Sequence, residues 1–517
     1  MEIIDDKALL VRTKRPEVLL EHIQKSALVG TDGDVSEVAV KWGLDEAQTL
    51  CNLRIRGVPS TILRDYTWTG KLTPFAHQKD TASFLTLYKK AFCFNEQGTG
   101  KTASVIWAAD YLMKAGRIKR VLILCPLSIM KSAWQADLFK FAMHRSCSVA
   151  HGTSAARKKI INAGSEFVII NFDGLAVVKD EILKGGFDMV VVDEANAYKN
   201  PQTNRWKVLR EIVGQVPWLW MLTGTPAAQS PLDAFGLAKL VNPHGCPQYF
   251  GQFRDKVMYK VTQFKWVPKK GAEEYVHQVL QPAIRFEKDQ CLDLPELIYV
   301  DRDAPLTAQQ MKYYKELKKR MTLTAAGESV TAVNAATNIN KLLQISGGAV
   351  YSDTGEVIEF DVSNRLNVIL EVIEESSHKV LVFVPFTHTI ELLAAFLEKH
   401  KISCGVINGK VPLNKRSDLV KQFQEQEDPY VLLIQPQAAS HGLTLTAANT
   451  VVWYAPVTSV ETYLQANARI NRPGQKNAMT VVHVQGSEVE ARLYKMLQNN
   501  ITNHEKIIDL YRQEISS

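Results

Sequence analysis

The sequence predicts an α/β protein of two tandem parallel-sheet lobes, with helical insertions between them and a small module in front. Three observations carry that expectation. Short unbroken apolar runs recur along the chain, each followed by polar turn residues and a stretch of helical period. Continuous rather than alternating apolar strands, separated by helices, belong to a parallel sheet covered on both faces. The pattern occurs twice, and 517 residues exceed what one core organises, since cores stop growing near roughly 250–300 residues.

In the first block the expected strands are 91–94, 121–125 (Val-Leu-Ile-Leu-Cys), 167–170, 189–192 (Met-Val-Val-Val) and 218–222. In the second they are 380–384 (Val-Leu-Val-Phe-Val), 404–407, 431–434, 451–454 and 480–484. Between the blocks, about 227–375, the text changes to helical stretches (308–322, 331–345) and a hairpin. That hairpin is expected to run along Val261–Val267, turn at Pro268-Lys269-Lys270-Gly271 and return through Glu274–Leu280. Residues 1–70 read as a small α/β or α+β module ending near Trp68. The domain plan is therefore a module over 1–70, a first lobe over 71–240, insertions and linker over 241–375, and a second lobe with C-terminal helices over 376–517.

Hydrophobic content of 46% and charged content of 22% are ordinary for a soluble globular protein. A formal charge of +7 leans toward polyanionic partners without requiring one. The 7 cysteines are scattered, odd in number and without a C-x-x-C pair, which argues against zinc or a disulfide framework and for a reducing cytoplasm. No apolar run reaches membrane-spanning length, and the acidic start does not resemble a secretory leader. Without a heptad seam, a monomer is expected.

The chemistry begins where strands end. Asn95-Glu-Gln97-Gly98-Thr99-Gly100-Lys101-Thr102 follows a strand and opens a helix, the context in which small residues let backbone N–H groups close on phosphates. Lys101 would reach the terminal phosphates and the Thr102 hydroxyl would ligate Mg²⁺. The alternative is a glycine turn capping an ordinary helix. Further on, Asp193 and Glu194 end a buried strand; there Asp193 would hold the metal shell and Glu194 would polarise a water. Thr223-Gly224-Thr225-Pro226 ends another strand, either as a sensor of that site or as a strand-to-helix turn with Thr225 as cap. In Gln465-Ala-Asn-Ala-Arg469-Ile-Asn-Arg472-Pro-Gly-Gln475 the two arginines are spaced i, i+3. On one helix they would share a face and supply positive charge to a phosphate from the second lobe.

Read in order, these stretches resemble the motifs of superfamily 2 helicases, specifically Swi/Snf-type DNA translocases in a compact phage or bacterial form, across about residues 70–495. The resemblance implies RecA-like lobes. Leu72–Gln78 is similar to the motif whose glutamine, here Gln78, reads adenine. Asn95–Thr102 resembles motif I, Leu124–Ser128 with Trp134 resembles motif Ia, and Asp193-Glu194-Ala195-Asn196 resembles motif II, where the family usually has His at the fourth position. Leu222–Pro226 resembles motif III, His441–Ala448 with Gly442 motif V, and Gln465–Gln475 motif VI. Pro282–Arg285, Leu294-Pro295, Thr307–Tyr314 and Leu343–Ile345 resemble the family's helical insertions.

What the resemblance implies is an ATP hydrolase using ATP and Mg²⁺, with catalytic positions at Lys101, Asp193, Glu194, Arg469 and Arg472. Nucleotide contacts fall at Gln78, Gln97, Gly98, Thr99, Gly100, Lys101, Thr102 and Gly442, and metal contacts at Thr102 and Asp193. Its track would be double-stranded or branched DNA in replication, recombination or repair, in the cytoplasm of a bacterium or phage-infected host. DNA contacts are expected at Ser128, Lys131 and Trp134. More are expected along the basic stretch Arg254, Lys256, Lys265, Lys269 and Lys270, which is interleaved with Tyr259, Phe264 and Trp266. A strand-separating DNA or RNA helicase and an ATP-dependent DNA-binding switch remain open readings. A nuclease–motor fusion is disfavoured for want of a further acidic cluster.

Overall fold

A computed structural model describes residues 1–499, apart from 71, 225, 228–229, 262–265, 292–293, 328–331, 352–356 and 440–442. Four positions expected at a functional site, Thr225, Phe264, Lys265 and Gly442, lie outside the described residues. The chain divides into two compact units, Met1–Cys291 and Leu292–Ser517.

The first unit opens with a four-stranded antiparallel sheet in the order Glu2–Ile4, Ala8–Thr13, Val35–Lys41, Ser26–Asp32. Alternate residues are buried along Val35–Lys41, and Leu9 faces Val40 while Val11 faces Val38 across the ladder. Such alternation marks a sheet with one wet face. Its dry face is covered by Leu19 of Pro16–His22 and Leu50 of Leu44–Asn52, so the module is α+β.

The main sheet of this unit has seven parallel strands: Ala283–Ile284, Lys90–Cys93, Trp218–Leu222, Met189–Val192, Val121–Cys125, Phe167–Asn171 and Cys147–Ala150. All residues of the three strands 121–125, 167–171 and 189–192 are buried. Leu122, Val190 and Met221 point into one layer, and Ile123, Val191 and Trp220 into the other, where the helix Lys101–Lys114 packs. This two-sided burial is why the runs are unbroken.

Two strands escaped the sequence reading. Cys147–Ala150 is a half-exposed edge strand with no apolar run, and Ala283–Ile284 is only two residues long. The expected hairpin also differs. Met258–Lys260 pairs antiparallel with Trp266–Pro268, and the supposed return leg is a helix, Ala272–Val279. Gly271 at φ +83° starts that helix, Glu273 and Glu274 fill its first turn, and Ala272, Val276 and Val279 recur at helical spacing on the packed side. That is a helix-entry pattern with acids at the positive end of the dipole.

The second unit carries six parallel strands: Leu297–Asp303, Met479–Gln485, Ala448–Trp453, Lys379–Phe383, Val431–Ile434 and Cys404–Ile407. Leu297–Asp303, which reads as inter-lobe text, pairs residue by residue with Met479–Gln485. It is partly or fully exposed at every position, as an edge strand can be, so no buried apolar run announces it. Helices Ala308–Gly327 and Ala332–Gly347 pack with Glu488–Gln498 through Tyr314, Leu342, Leu343 and Leu493.

All seven cysteines are free thiols, and burial raises each of them above its ordinary value, Cys93 to about 11. Among the described residues no helix is long and apolar enough to cross a membrane.

Candidate nucleotide site

The first sheet's register brings the chemistry together. Trp218–Leu222 lies between Lys90–Cys93 and Met189–Val192, with Met221 opposite both Phe92 and Val192. The segments that follow these strands, 94–100, 193–194 and 223–224, therefore emerge at one edge of one sheet. Thr223 N–H donates to the Cys93 carbonyl at 3.1 Å. A Cβ on Gly224 would stand 3.4 Å from Gln97 Cγ and 3.6 Å from the Asn95 carbonyl, so this turn lies directly against the 95–100 loop.

That loop is shaped for an anion. Gly98 and Gly100 adopt left-handed conformations, φ +86° and +80°. A side chain on Gly100 would be strained at this φ and would have to displace Gln78 Nε2, 2.1 Å away. Helix Lys101–Lys114 starts at the next residue, and its first N–H groups have no partner within the helix. Lys101 Nζ donates to the carbonyls of Asn95 (2.7 Å) and Glu96 (3.1 Å). It is a cation already inside the loop, on contacts it can exchange for phosphate oxygens. These features fit a nucleoside triphosphate. Thr102 is half-exposed one position into the helix.

Asp193 ends its strand with both carboxylate oxygens occupied: Oδ1 accepts Glu194 N–H at 2.9 Å and Oδ2 accepts Trp134 Nε1–H at 2.9 Å. Some surface of the residue reaches solvent, yet protein closely surrounds its carboxyl group, and that desolvation raises its pKa. The Lys101 charge and the two donated hydrogen bonds oppose the rise. Burial works against the ionised form of this carboxyl group, and a divalent cation beside it would offset that cost. Glu194 takes φ +51°, a costly conformation for a residue with a Cβ, of the kind concentrated at functional sites.

Gln78 is buried, and its side chain serves the loop: Nε2 donates to the Thr99 carbonyl (3.1 Å) and Oε1 accepts Phe75 N–H (3.1 Å). His77 Nε2 lies 2.8 Å from the same carbonyl. Asn95, standing where phosphate loops commonly have glycine, donates from Nδ2 to Thr81 Oγ1 (2.8 Å) and accepts Phe286 N–H on Oδ1 (3.0 Å). Glu96 accepts Lys288 N–H at 3.1 Å. These ties were not legible, because they join residues far apart in sequence.

The expected DNA contacts divide. Lys131 is exposed and Ser128 half-buried at the start of the turn after Val121–Cys125. Trp134 corrects its expectation. It is fully buried within a π-helical turn, Met130–Gln135, and its polar edge is spent on Asp193, so no DNA backbone reaches it. In the basic stretch, Arg254 lies 4.0 Å over the Trp266 ring and pairs with Asp255 at 3.0 Å. Lys256 sits 5.0 Å over Tyr275, and Lys269 donates to the Asp255 carbonyl. Lys270 is exposed.

In the second unit, helix Val460–Asn467 ends before both arginines, so Arg469 and Arg472 do not share a helical face. Arg469 is 3% exposed, and its Nη1 is 3.3 Å from the Leu443 carbonyl. Arg472 donates to Thr444 Oγ1 at 3.2 Å and to the Ala468 carbonyl at 2.9 Å. Both arginines thus bind the segment 443–444, the continuation of 441–442.

The chain is similar to known proteins over most of its length. The SNF2-related domain family matches residues 77–347, and the helicase conserved C-terminal domain family matches 364–474. The chain is 26% identical over 439 residues to chromodomain-helicase-DNA-binding protein 1-like of Mus musculus, covering 80% of this chain and 47% of the relative. It is 25% identical to putative protein p41 of Acyrthosiphon pisum secondary endosymbiont phage 1, covering 78% of this chain and 90% of that one. The chain spans less than half the length of the mouse relative. A solved SWI2/SNF2 ATPase core of Sulfolobus solfataricus in complex with dsDNA aligns with TM-score 0.42 and 22% identity, over 84% of this chain and 92% of that one.

Proposed function

The chain belongs to the SNF2-related family, and from that premise we propose that it hydrolyses ATP to translocate on double-stranded DNA. The observation that carries the reading is the shared edge of the first sheet, where the Lys101 loop, Asp193–Glu194 and Gly224 lie together. Bound ATP with Mg²⁺ supplies the phosphoanhydride and the hard cation that Thr102 and Asp193 would hold. Lys101 neutralises phosphate charge, and Glu194 accepts a proton from the attacking water. Arg469 and Arg472 serve the same hydrolytic step, with Gly442 beside them in sequence. Gln78, Gln97 and Thr99 keep the loop in its binding shape.

The turn at Thr223-Gly224 lies against the 95–100 loop and is placed to sense whether this edge is loaded. Exposed cations such as Lys131, Lys260 and Lys270 give sequence-independent, salt-sensitive hold on phosphates, which suits a moving protein. Remodelling of forks or branches in replication, recombination or repair, by a cytoplasmic monomer of a bacterium or its phage, is the biological setting this activity fits.

Nucleic-acid-stimulated ATPase across duplex, single-stranded, forked and RNA substrates tests the reading. Strong stimulation by duplex DNA, with triplex displacement and no unwinding of a forked duplex, is expected. Preference for RNA removes the proposal, and unwinding of the fork replaces it with a strand-separating helicase. Lys101→Ala, Glu194→Gln and Arg472→Ala should each reduce turnover by at least about 100-fold. Full activity of Arg472→Ala would refute its assignment.

A further inference from the structure

At the opposite end of the first sheet lies a groove of about 1600 Å³ that the nucleotide site does not use. Lys90 begins the strand whose far end leads into the phosphate loop, and Pro217 precedes Trp218–Leu222. Both line the groove, so a strand's length, about 10 Å or more, separates it from Lys101. Its other walls come from the segment after helix Leu44–Asn52, from helix Ala76–Leu87 and from the turn after Ala234–Val241.

The lining is predominantly cationic. Arg54, Arg56, Lys89 and Lys90 contribute cations, and Asp80 is its single carboxylate. Arg54, Arg56 and Lys89 are exposed, and none forms an ion pair among the described residues. Lys90 is half-buried, and burial lowers its pKa.

Beside these cations stands an aromatic platform. The rings of Phe84 and Tyr88, partly buried where they pack on the core and partly open to the groove, lie 4.7 Å apart at 40° to one another. Tyr88 is held in place, because its carbonyl accepts Trp220 Nε1–H at 3.1 Å and its hydroxyl is hydrogen-bonded to Cys51. A pre-set ring costs little entropy when a flat partner stacks on it.

We propose that this groove binds single-stranded nucleic acid, with Arg54, Arg56 and Lys89 on its phosphates and Phe84–Tyr88 under its bases. The volume exceeds the roughly 300–1,000 Å³ typical of small-ligand sites, so it suits a length of chain. Cations with stacking rings are the combination that holds single strands without regard to sequence. A duplex offers only its outer phosphates to a concave wall, its bases being stacked inside, and gains nothing from the rings. The site thus gives the protein a hold on an unpaired arm, separate from the nucleotide edge.

The test uses the full chain without nucleotide, and the triple variant Arg54→Glu, Arg56→Glu, Lys89→Glu, all exposed positions outside the ATP site. Fluorescence anisotropy follows a labelled oligothymidylate of about 12 nucleotides, its abasic counterpart and a blunt duplex across a salt series. Single-strand affinity should fall at least about tenfold in the variant, and its log–log salt slope should become shallower by about 2, three phosphate contacts at ~0.7 each. The abasic strand should bind the unaltered protein at least about fivefold more weakly than oligothymidylate. Duplex affinity and basal ATPase should stay within about twofold.

Unchanged single-strand affinity and slope overturn the proposal. So does an equal loss for the duplex, which would mark a general polyanion surface. Equal binding of the abasic strand, or equally tight binding of polyglutamate, overturns it as well. None of these readouts depends on duplex-stimulated turnover, so this proposal and the translocase reading stand or fall separately.

Discussion

Asn95 Oδ1 accepts the backbone N–H of Phe286 at 3.0 Å while Asn95 Nδ2 donates to Thr81 Oγ1 at 2.8 Å. Asn95, at the start of the 95–100 loop, therefore also ties that loop to Phe286, just past the strand Ala283–Ile284, where the chain nears the end of the first unit. Replacing Asn95 by the glycine more usual in phosphate loops removes both bonds. Asn95→Gly should lose about 1–3 kcal/mol of stability in urea unfolding and raise KM for ATP. Asn95→Asp keeps the acceptor and should lose less.

Trp134→Phe keeps a buried aromatic ring but removes the donor to Asp193 together with part of the indole's volume. The signs are as follows: burial already raises the Asp193 pKa, and the indole N–H lowers it. Without that bond the carboxyl group takes its proton more readily, so the acidic limb of the kcat/KM profile should move to higher pH. Activity at neutral pH should fall by about tenfold, the worth of a hydrogen bond to a charged group. An unshifted limb would show that Asp193 does not set it.

Arg365 and Glu490 form a buried pair in the second unit, 2% and 0% exposed, with two contacts of 2.8 Å. Arg365 also donates to the Tyr454 carbonyl, and Glu490 accepts the N–H groups of Gly486 and Ser487. Arg365→Met strands a buried carboxylate and should cost about 3–5 kcal/mol. Arg365→Met with Glu490→Gln keeps the acceptor for those N–H groups and should recover more than half of that loss. Chemical denaturation of the four proteins checks the cycle.

His483 is fully buried against Tyr494, with Tyr463 Oη at 2.8 Å and Asp301 Oδ1 at 3.1 Å. Burial lowers its pKa from 6.5, with Asp301 opposing. The folded chain holds this imidazole neutral where the unfolded chain would protonate it. Stability is therefore intact above 6.5 and is lost as pH falls below it. Urea midpoints for the second unit should drop between about pH 7.5 and 5.5, and His483→Gln should flatten that slope.

The interior strands were legible because residues buried on both faces must be apolar at every position, as 121–125 and 189–192 are. Edge strands such as Leu297–Asp303 and Cys147–Ala150 obey no such demand and went unread. In the candidate nucleotide site the sequence grouped what is local, since Gly98, Gly100, Lys101 and Thr102 are consecutive or nearly so and form one loop and helix start. What pairs distant residues left no mark: Trp134 on Asp193, Phe286 on Asn95, Gly224 against Gln97. The i, i+3 spacing of Arg469 and Arg472 misled because helix Val460–Asn467 stops first.

The seven shielded thiols have a practical use. At neutral pH almost none of their sulfur is thiolate, the form that attacks maleimides. A dye-bearing cysteine introduced on the surface of each unit would label ahead of the native ones, with no need to strip the chain of its own.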